Sequence, residues 1–543
     1  MPVVAIVLGL MVAVALLALA AHHLNVPYPI LLVLGGLAIA LVPGLPRVEL
    51  APDTVFLVFL PPLIYAAGWF TSLRDFKANL RPIALLAVGL VLFTVGCIGV
   101  VTHMLAPDLP WAAALALGAI IAPTDPVAGT AIFQRLGVPR RIMTILEGES
   151  LLNDATGLIA LNYAKVAVVT GAFSIWAAGL EFVLSGAGGV ALGLALGWLV
   201  NQLMKRIQDP PIEITLSILV PYGIYLLTIP THVSGVLAVA AAGIYAARRS
   251  PQTWTAATRI PAYAVWEVLL FVLNGLVFIL IGLQLPAVID GLAGQPVPRL
   301  VATAGIITLA VIVTRFVWVF PATYVPRFLS AAIRRRDPYP GWRNVVVIAW
   351  TGMRGVVSLA AALSLPLTVR GGAPFPGRDL ILLVTFSVIL VTVVLQGLSL
   401  PVLLRRLGVA ADGSAMQEEL EARTRSMEAA VARLDELAGE EWTREEGVAW
   451  MRMYYGKRRK HIDTQFGRVN HEHRDGGHQH EEGVDHVEAH RSSLAGHRRL
   501  RRELLDVERT TLLGLRDAGV IGDQVLFRVQ RDLDLEDIQL AEA

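Results

Sequence analysis

Long apolar segments separated by short polar loops run through residues 1–407 of the chain. Windows of about 20 residues, the length at which a helix crosses a bilayer, identify thirteen such segments. They cover residues 3–21, 30–42, 54–70, 82–105, 111–133, 142–169, 182–204, 214–229, 233–247, 265–285, 300–328, 345–367 and 380–404. This pattern predicts an all-α polytopic membrane protein with thirteen transmembrane helices and a separate segment at residues 408–543.

Composition supports this class. The chain has 543 residues, of which 55% are hydrophobic and only 16% charged, and its mean hydropathy is +0.62. Such values exclude an ordinary soluble protein. The formal net charge of +2 gives no reason to expect a nucleic-acid partner, and the single cysteine, Cys97, excludes an intrachain disulfide.

Basic residues alternate between the loops on the two sides of the predicted bundle. One set of loops carries Arg74, Lys77, Arg81, Arg135, Arg140, Arg141, Lys205, Arg206, Arg248, Arg249, Arg259, Arg327, Arg334, Arg335, Arg336, Arg343, Arg405 and Arg406. The opposite set carries only Arg47, Arg299, Arg370 and Arg378. Because basic loops stay on the cytoplasmic side, we expect the N-terminus outside and the C-terminal tail in the cytoplasm of a plasma-membrane protein.

Ionisable residues occur inside several of these apolar segments. In the sixth segment Glu149, Ser150, Asn153 and Asp154 fall within one arc of roughly 140° when about 100° of rotation is assigned to each helical residue. The fifth, eleventh and twelfth segments carry Asp125, Arg315 and Arg354 at similar depth. Ionisable groups at bilayer depth are costly and usually mark an ion or proton path.

Two of the polar segments also contain helix breakers. Pro123 and Pro126 interrupt the fifth segment, and Gly352 and Gly355 interrupt the twelfth. The two segments are seven apart and therefore cross in opposite directions. Paired broken helices of this kind are typical of transporters built from inverted repeats, which predicts two six-helix repeats joined by the seventh helix.

Five motifs together resemble the electroneutral branch of the monovalent cation/proton antiporters, the NhaP-type and NHE-type sodium/proton exchangers. They are Phe59-Leu60-Pro61-Pro62, Thr124-Asp125-Pro126, Glu149-Ser150-Leu151-Leu152-Asn153-Asp154, Phe278-Ile279-Leu280-Ile281-Gly282 and Gly352-Met353-Arg354-Gly355-Val356-Val357-Ser358-Leu359. The resemblance implies a homodimer with elevator-like alternating access. Its moving core would contain spans 4–6 and 11–13, and its dimerisation domain spans 1–3 and 7–10.

The resemblance also implies roles for individual residues. Thr124, Ser150 and Asp154 would contact the Na⁺ ion, Glu149 would support the site through Asn153 or water, and Asp125 would hold the ends of the broken helix. One position departs from the family, since Ala66 stands where an acidic residue often pairs with the arginine of the twelfth span. Arg354 must therefore find its partner in Asp125, Glu149 or backbone carbonyl groups.

A charge count gives an independent indication of stoichiometry. Three acids, Asp125, Glu149 and Asp154, face two bases, Arg315 and Arg354, which leaves one net negative charge at mid-depth. One cation or one proton neutralises that charge, so the count predicts electroneutral one-for-one exchange of Na⁺ for H⁺. The sequence leaves Li⁺ and K⁺ open as substrates, and it predicts no cofactor and no enzymatic activity.

The segment 408–543 is charged and predicts a helical cytoplasmic tail, with apolar positions at helical spacing in 416–437 and 504–515. Its histidine-rich part, 471–490, indicates a polar linker, with zinc or nickel binding as the alternative. Two other functions remain open for the whole chain. A K⁺/H⁺ exchanger would share the fold, and a membrane sensor would signal through the tail. An intramembrane hydrolase is disfavoured because His103 and His232 lie near span ends.

Overall fold

The computed structural model describes residues 3–43, 52–171, 174–207, 209–290, 296–369, 372–409, 413–465 and 487–542. Over these ranges the regular secondary structure is helical, apart from one isolated β-bridge between Thr368 and Pro374. It divides into two compact units, which we call the membrane unit (Met1–Trp254 with Ala262–Ala411) and the tail unit (Thr255–Pro261 with Asp412–Ala543).

Eighteen helices of six or more residues precede the tail in the described ranges. They are α1 Val3–Leu24, α2 Tyr28–Ala40, α3 Val55–Phe70, α4 Leu73–Ala78, α5 Leu80–Leu105, α6 Trp111–Ile121, α7 Val127–Leu136, α8 Arg140–Thr170, α9 Ile175–Met204, α10 Pro210–Thr228, α11 Gly235–Thr253, α12 Ala256–Leu283, α13 Leu285–Asp290, α14 Val297–Leu329, α15 Ala331–Arg336, α16 Trp342–Trp350, α17 Val356–Leu363 and α18 Arg378–Leu407.

Seven of these helices are long and apolar enough to cross a membrane, namely α1, α5, α9, α10, α12, α14 and α18. Three shorter apolar helices, α2, α3 and α6, accompany them in the described ranges. Each of the thirteen apolar segments falls on one helix or on a pair of helices separated by a break. The all-helical membrane architecture is therefore confirmed, whereas the count of thirteen crossings and the inverted repeats stay predictions.

Both predicted interruptions are present. Helix α6 ends at Ile121 and α7 begins at Val127, while α16 ends at Trp350 and α17 begins at Val356. Proline causes the first break because it lacks an N–H group and its ring clashes with the preceding helical turn. The two breaks lie against each other, since the backbone N–H of Asp125 donates to the carbonyl oxygen of Met353 at 2.8 Å.

Helix α6 lies at the centre of the membrane unit. It packs against α5, α8, α17 and α18, and nearly all of its residues are buried. Its alanine-rich sequence allows these neighbours to approach closely, as is usual between helices in membranes. An added Cβ at Gly118, for example, would lie 2.7 Å from the carbonyl oxygen of Val95 on α5. The break that follows α6 thus continues from a helix that is surrounded by neighbours.

Helices α1 and α9 differ from α6 because their apolar surface is mostly exposed within one chain. Only 11% of the most apolar window of α1 and 17% of that of α9 is buried. Trp176, Val183 and Leu184 are among the exposed residues of α9. Such surfaces are covered by lipid or by another protein surface when the protein is in a membrane.

The crossing of α3 and α11 depends on two glycines. A Cβ at Gly68 would lie 2.6 Å from the carbonyl oxygen of Ala240, and one at Gly243 would clash with the carbonyl oxygen of Tyr65. The backbones of the two helices are therefore in direct contact at this crossing, as in other small-residue helix pairs.

The tail unit contains four long helices in its described part: α19 Ser414–Leu437, α20 Glu445–Gln465, α21 Val487–Asp517 and α22 Asp523–Glu542. Helices α19 and α21 contain the two segments whose apolar spacing predicted them. A buried polar network connects the helices, with Arg501 donating to Glu536 at 2.6 Å and Tyr455 donating to Glu508 at 2.7 Å. Most of the histidine-rich linker 471–490 lies outside the described residues.

Replacing Gly243 by valine should destabilise the membrane unit, because the added side chain has no space at the α3–α11 crossing. We expect a loss of about 1–3 kcal/mol, the usual cost of overpacking. The measurement is the thermal unfolding midpoint of the detergent-purified protein. Gly223→Val is the matched control, since a Cβ at Gly223 meets nothing within 4 Å. Equal midpoints for the two variants would contradict the close crossing.

Candidate functional site at two interrupted helices

A buried ion pair joins α8 to α14 beside the interruptions. The Arg315 guanidinium donates to both carboxylate oxygens of Glu149, with Nη1–Oε1 and Nη2–Oε2 distances of 2.5 and 2.8 Å. Its Nε donates to the carbonyl oxygen of Ile348 at 3.1 Å. Both charged side chains are almost fully buried. Because the pairing is bidentate, the two charges neutralise each other locally.

Thr124 links this ion pair to Asn153. Its hydroxyl donates to Glu149 Oε1 at 3.1 Å and accepts from Asn153 Nδ2 at 2.9 Å. The expected connection between Glu149 and Asn153 is thus made through the Thr124 hydroxyl, and not directly. The remaining amide oxygen, Oδ1 of Asn153, is buried and meets no hydrogen-bond donor in the part of the chain that the structure describes.

Asp125 holds the start of α7 and the second interruption together. Its carboxylate Oδ1 accepts from the backbone N–H of Val127 at 2.9 Å, which satisfies a free donor in the first turn of α7. The same carboxylate lies directly against Gly355, where any larger residue would clash with it. Asp125 therefore lies between the start of α7 and the second interruption.

Arg354 is compensated by backbone carbonyl groups. Its Nε donates to the carbonyl oxygen of Ile121, the last residue of α6, at 3.0 Å, and its Nη1 donates to the carbonyl oxygen of Gly352. Its own backbone N–H donates to the Thr392 hydroxyl at 3.1 Å. Three partners were considered for Arg354, namely Asp125, Glu149 and backbone carbonyl groups. In the structure Arg354 donates to the carbonyl groups that the two breaks leave free.

Two expected site residues, Ser150 and Asp154, are half-buried on α8. Neither forms a hydrogen bond or ion pair with any residue that the structure describes. They are four residues apart and share a face of the helix. Gly157, one turn further on, packs against Pro123 in the first break. The uncompensated carboxylate of Asp154 therefore belongs to the helix that packs against the break.

The structure also contains site residues that sequence reasoning missed. Thr392 on α18 and the carbonyl groups of Ile121 and Ile348 contact the two arginines. No charge or motif marks them, because a carbonyl group is present at every position and a threonine is common in apolar helices. Ala66 is buried in an apolar cluster that includes Tyr65 and Trp69, consistent with its lack of charge.

Known proteins resemble this chain over most of its length. Residues 9–406 match the family described as sodium/hydrogen exchanger, transmembrane. The chain is 36% identical over 548 residues to an uncharacterized Na(+)/H(+) exchanger of Mycobacterium tuberculosis, covering 98% of this chain and 97% of that protein. It is 38% identical over 389 residues to a sodium, potassium, lithium and rubidium/H(+) antiporter of Bacillus pumilus, covering 70% and 58%.

A solved structure with the same fold is that of the sodium proton antiporter MjNhaP1 from Methanocaldococcus jannaschii. Its TM-score is 0.59 at 20% sequence identity, and the match covers 74% of this chain and 98% of that one. The family match spans the helices that carry the interruptions and all of the polar residues described above. The chain therefore belongs to the sodium/hydrogen exchanger family.

Proposed function

We propose that this protein exchanges Na⁺ for H⁺, one for one, through a site formed by Asp154, Thr124 and Ser150. The observation that carries the proposal is the contrast between two carboxylates on one helix. Glu149 is neutralised by Arg315, whereas Asp154 has no partner among the described residues and is half-buried. An uncompensated carboxylate in an apolar bundle binds a proton or a cation in preference to remaining bare.

Oxygen ligands are available around Asp154 for a hard monovalent cation. Asn153 Oδ1 is buried without a donor, and the hydroxyl of Ser150 is not used by any described residue. The Thr124 carbonyl oxygen lies 3.4 Å from Asn153 Nδ2, so it faces the same part of α8. In this proposal Glu149, Asn153 and Asp125 position Thr124 and the break, while Asp154 alternates between cation and proton.

The distribution of charge supports electroneutral exchange. The Glu149–Arg315 pair carries no net charge, which leaves Asp125 and Asp154 against Arg354. One net negative charge remains, and either one cation or one proton cancels it. Because the loaded site has the same charge in both cases, the step that carries it across the membrane moves no net charge.

A second candidate is exchange of K⁺ or Li⁺ for H⁺ at the same site. It is favoured by the relative from Bacillus pumilus, whose name includes potassium, lithium and rubidium together with sodium. Proton flux measured with Na⁺, Li⁺ and K⁺ in turn distinguishes these substrates.

We further propose that the chain acts as a homodimer in the plasma membrane, with its N-terminus outside and its tail in the cytoplasm. The interrupted helices pack with α5, α8 and α18, which supports a core of spans 4–6 and 11–13. The exposed apolar surfaces of α1 and α9 support a dimerisation domain of spans 1–3 and 7–10. The core would then move as an elevator and serve pH and sodium homeostasis.

Asp154→Asn should abolish exchange and leave folding intact, because the amide can neither release a proton nor balance a cation. The measurement is sodium-driven proton flux in proteoliposomes, together with the thermal unfolding midpoint. Asp108→Asn, which alters an exposed carboxylate between α5 and α6, is the matched control and should behave as wild type. Sodium-driven flux retained in Asp154→Asn would exclude Asp154 as the carrier.

Exchange should be insensitive to membrane potential, because the count of charges makes the transported complex equally charged with Na⁺ or H⁺. We suggest setting the potential with a gradient of the permeant anion thiocyanate, since K⁺ with valinomycin would introduce a candidate substrate. Proton flux at fixed Na⁺ and pH gradients should be equal at positive, zero and negative potential. A rate that follows the potential would show that the site has a different net charge.

Breaking the buried ion pair should strongly destabilise the fold, whereas removing both charges should cost less stability. Glu149→Gln or Arg315→Gln alone leaves an uncompensated buried charge, for which we expect a loss of about 3–5 kcal/mol. The double variant Glu149→Gln/Arg315→Gln should lose less free energy of unfolding than the two single variants lose together. Unfolding midpoints of all four proteins test this coupling, and additive losses would mean that the two charges act independently.

A further inference from the structure

A cluster of three arginines surrounds one carboxylate at the end of three helices of the membrane unit. Asp337 accepts from Arg81 Nη2 at 2.7 Å, from Arg141 Nη2 at 2.5 Å and from Arg327 Nη2 at 2.6 Å. Asn79 accepts from the Nε of Arg141 at 3.1 Å. These groups carry three positive charges and one negative charge, so the cluster has an excess of positive charge.

The hydrogen-bonding capacity of this cluster is incompletely used. Nε and Nη1 of Arg81 are buried, and no acceptor for them occurs in the described ranges. Buried donors without acceptors are costly, and a guanidinium is well suited to bind phosphate. Burial by itself would raise the pKa of the Asp337 carboxyl, but hydrogen bonds from Arg141 and Arg327 outweigh it and hold that pKa below its usual value. Asp337 thus stays ionised and leaves the positive excess unchanged.

An apolar cavity opens beside the three arginines. It is partly open, and its walls include Leu86, Ile145, Val319 and Ile348. The three arginines also line it. A cavity that is cationic at one end and apolar along its wall is complementary to an amphiphile with an anionic head.

The position of the cavity agrees with such an amphiphile. Arg81 lies in the first turn of α5, Arg141 in the first turn of α8 and Arg327 in the last turn of α14. The arginines are therefore at the ends of helices that carry predicted membrane segments, where such segments meet the lipid headgroups, and the apolar wall continues toward the middle of the helices. Basic pockets between transmembrane helices are typical binding sites for anionic lipid headgroups.

We propose that this arginine pocket binds an anionic phospholipid, whose phosphate accepts hydrogen bonds from Arg81 and whose acyl chain lies along the apolar wall. The phosphate would supply the acceptors that Arg81 lacks and would neutralise part of the positive excess. This site does not include Asp154 or the interruptions, so it does not depend on the proposed exchange reaction.

The test is thermal unfolding of the full-length protein in neutral detergent, titrated with phosphatidylglycerol, with phosphatidylcholine of the same acyl chains, or with inorganic phosphate. Phosphatidylglycerol alone should raise the unfolding midpoint. Arg81→Gln keeps Asp337 paired with Arg141 and Arg327, and it should raise the half-saturating concentration of phosphatidylglycerol about tenfold. Arg335→Gln, an exposed arginine on the neighbouring helix α15, is the matched control and should respond as wild type.

A second variant tests the apolar part of the pocket without changing its charge. Ala322, half-buried in the cavity wall, can be replaced by tryptophan to fill the space for an acyl chain, which should also weaken the response to phosphatidylglycerol. If Arg81→Gln does not fold, the response of Ala322→Trp to phosphatidylglycerol tests the proposal. An equal response of wild type and both variants would overturn the proposal. Stabilisation by inorganic phosphate alone, or equally by phosphatidylcholine, would overturn the assignment of an anionic lipid.

Discussion

Interrupting a helix inside a membrane leaves backbone groups that lipid cannot satisfy, and the centre of this protein is organised around that constraint. Helix α6 ends with its last carbonyl groups free, and α7 begins with free N–H groups. Arg354 occupies the carbonyl groups of Ile121 and Gly352, and Asp125 occupies the N–H group of Val127. Each end of the first break thus obtains a side chain of opposite polarity, and both side chains come from motifs at the breaks themselves.

The same arrangement separates the neutralised charges of an ion pair from an uncompensated carboxylate. Glu149 and Arg315 are almost fully buried, but their two-point pairing leaves no net charge, and Thr124 extends the network to Asn153. Asp154 is adjacent to Asn153 in the chain but is outside this network. One helix can therefore carry a carboxylate in an ion pair and, five residues further on, a carboxylate without a described partner. In a low-dielectric bundle that difference supports our proposal that Asp154, and not Glu149, is the acid that exchanges its counterion.

Close helix packing makes this geometry possible. Residues without a side chain let backbone and charged groups approach at the decisive points, with Gly355 against Asp125 and Gly352 against Arg315. A Cβ at Gly352 would lie 2.6 Å from Arg315 Cδ. Gly352 and Gly355 therefore do more than interrupt a helix. They also leave the space that Arg315, Arg354 and Asp125 occupy.

The sequence by itself determined the membrane class, the apolar segments, the two interruptions and the depth of the acids, since each depends on local composition or on helical rotation. Together with the family resemblance, it also limited the partners of Arg354 to two carboxylates and the backbone carbonyl groups. Only the tertiary structure decided among them, paired Glu149 with Arg315, and left Asp154 without a described partner. Those outcomes depend on which carbonyl or guanidinium lies within about 3 Å of another group, at the range of a hydrogen bond. Such distances are set by the packing of helices that are far apart in sequence. The residue pattern of a single chain does not specify that packing.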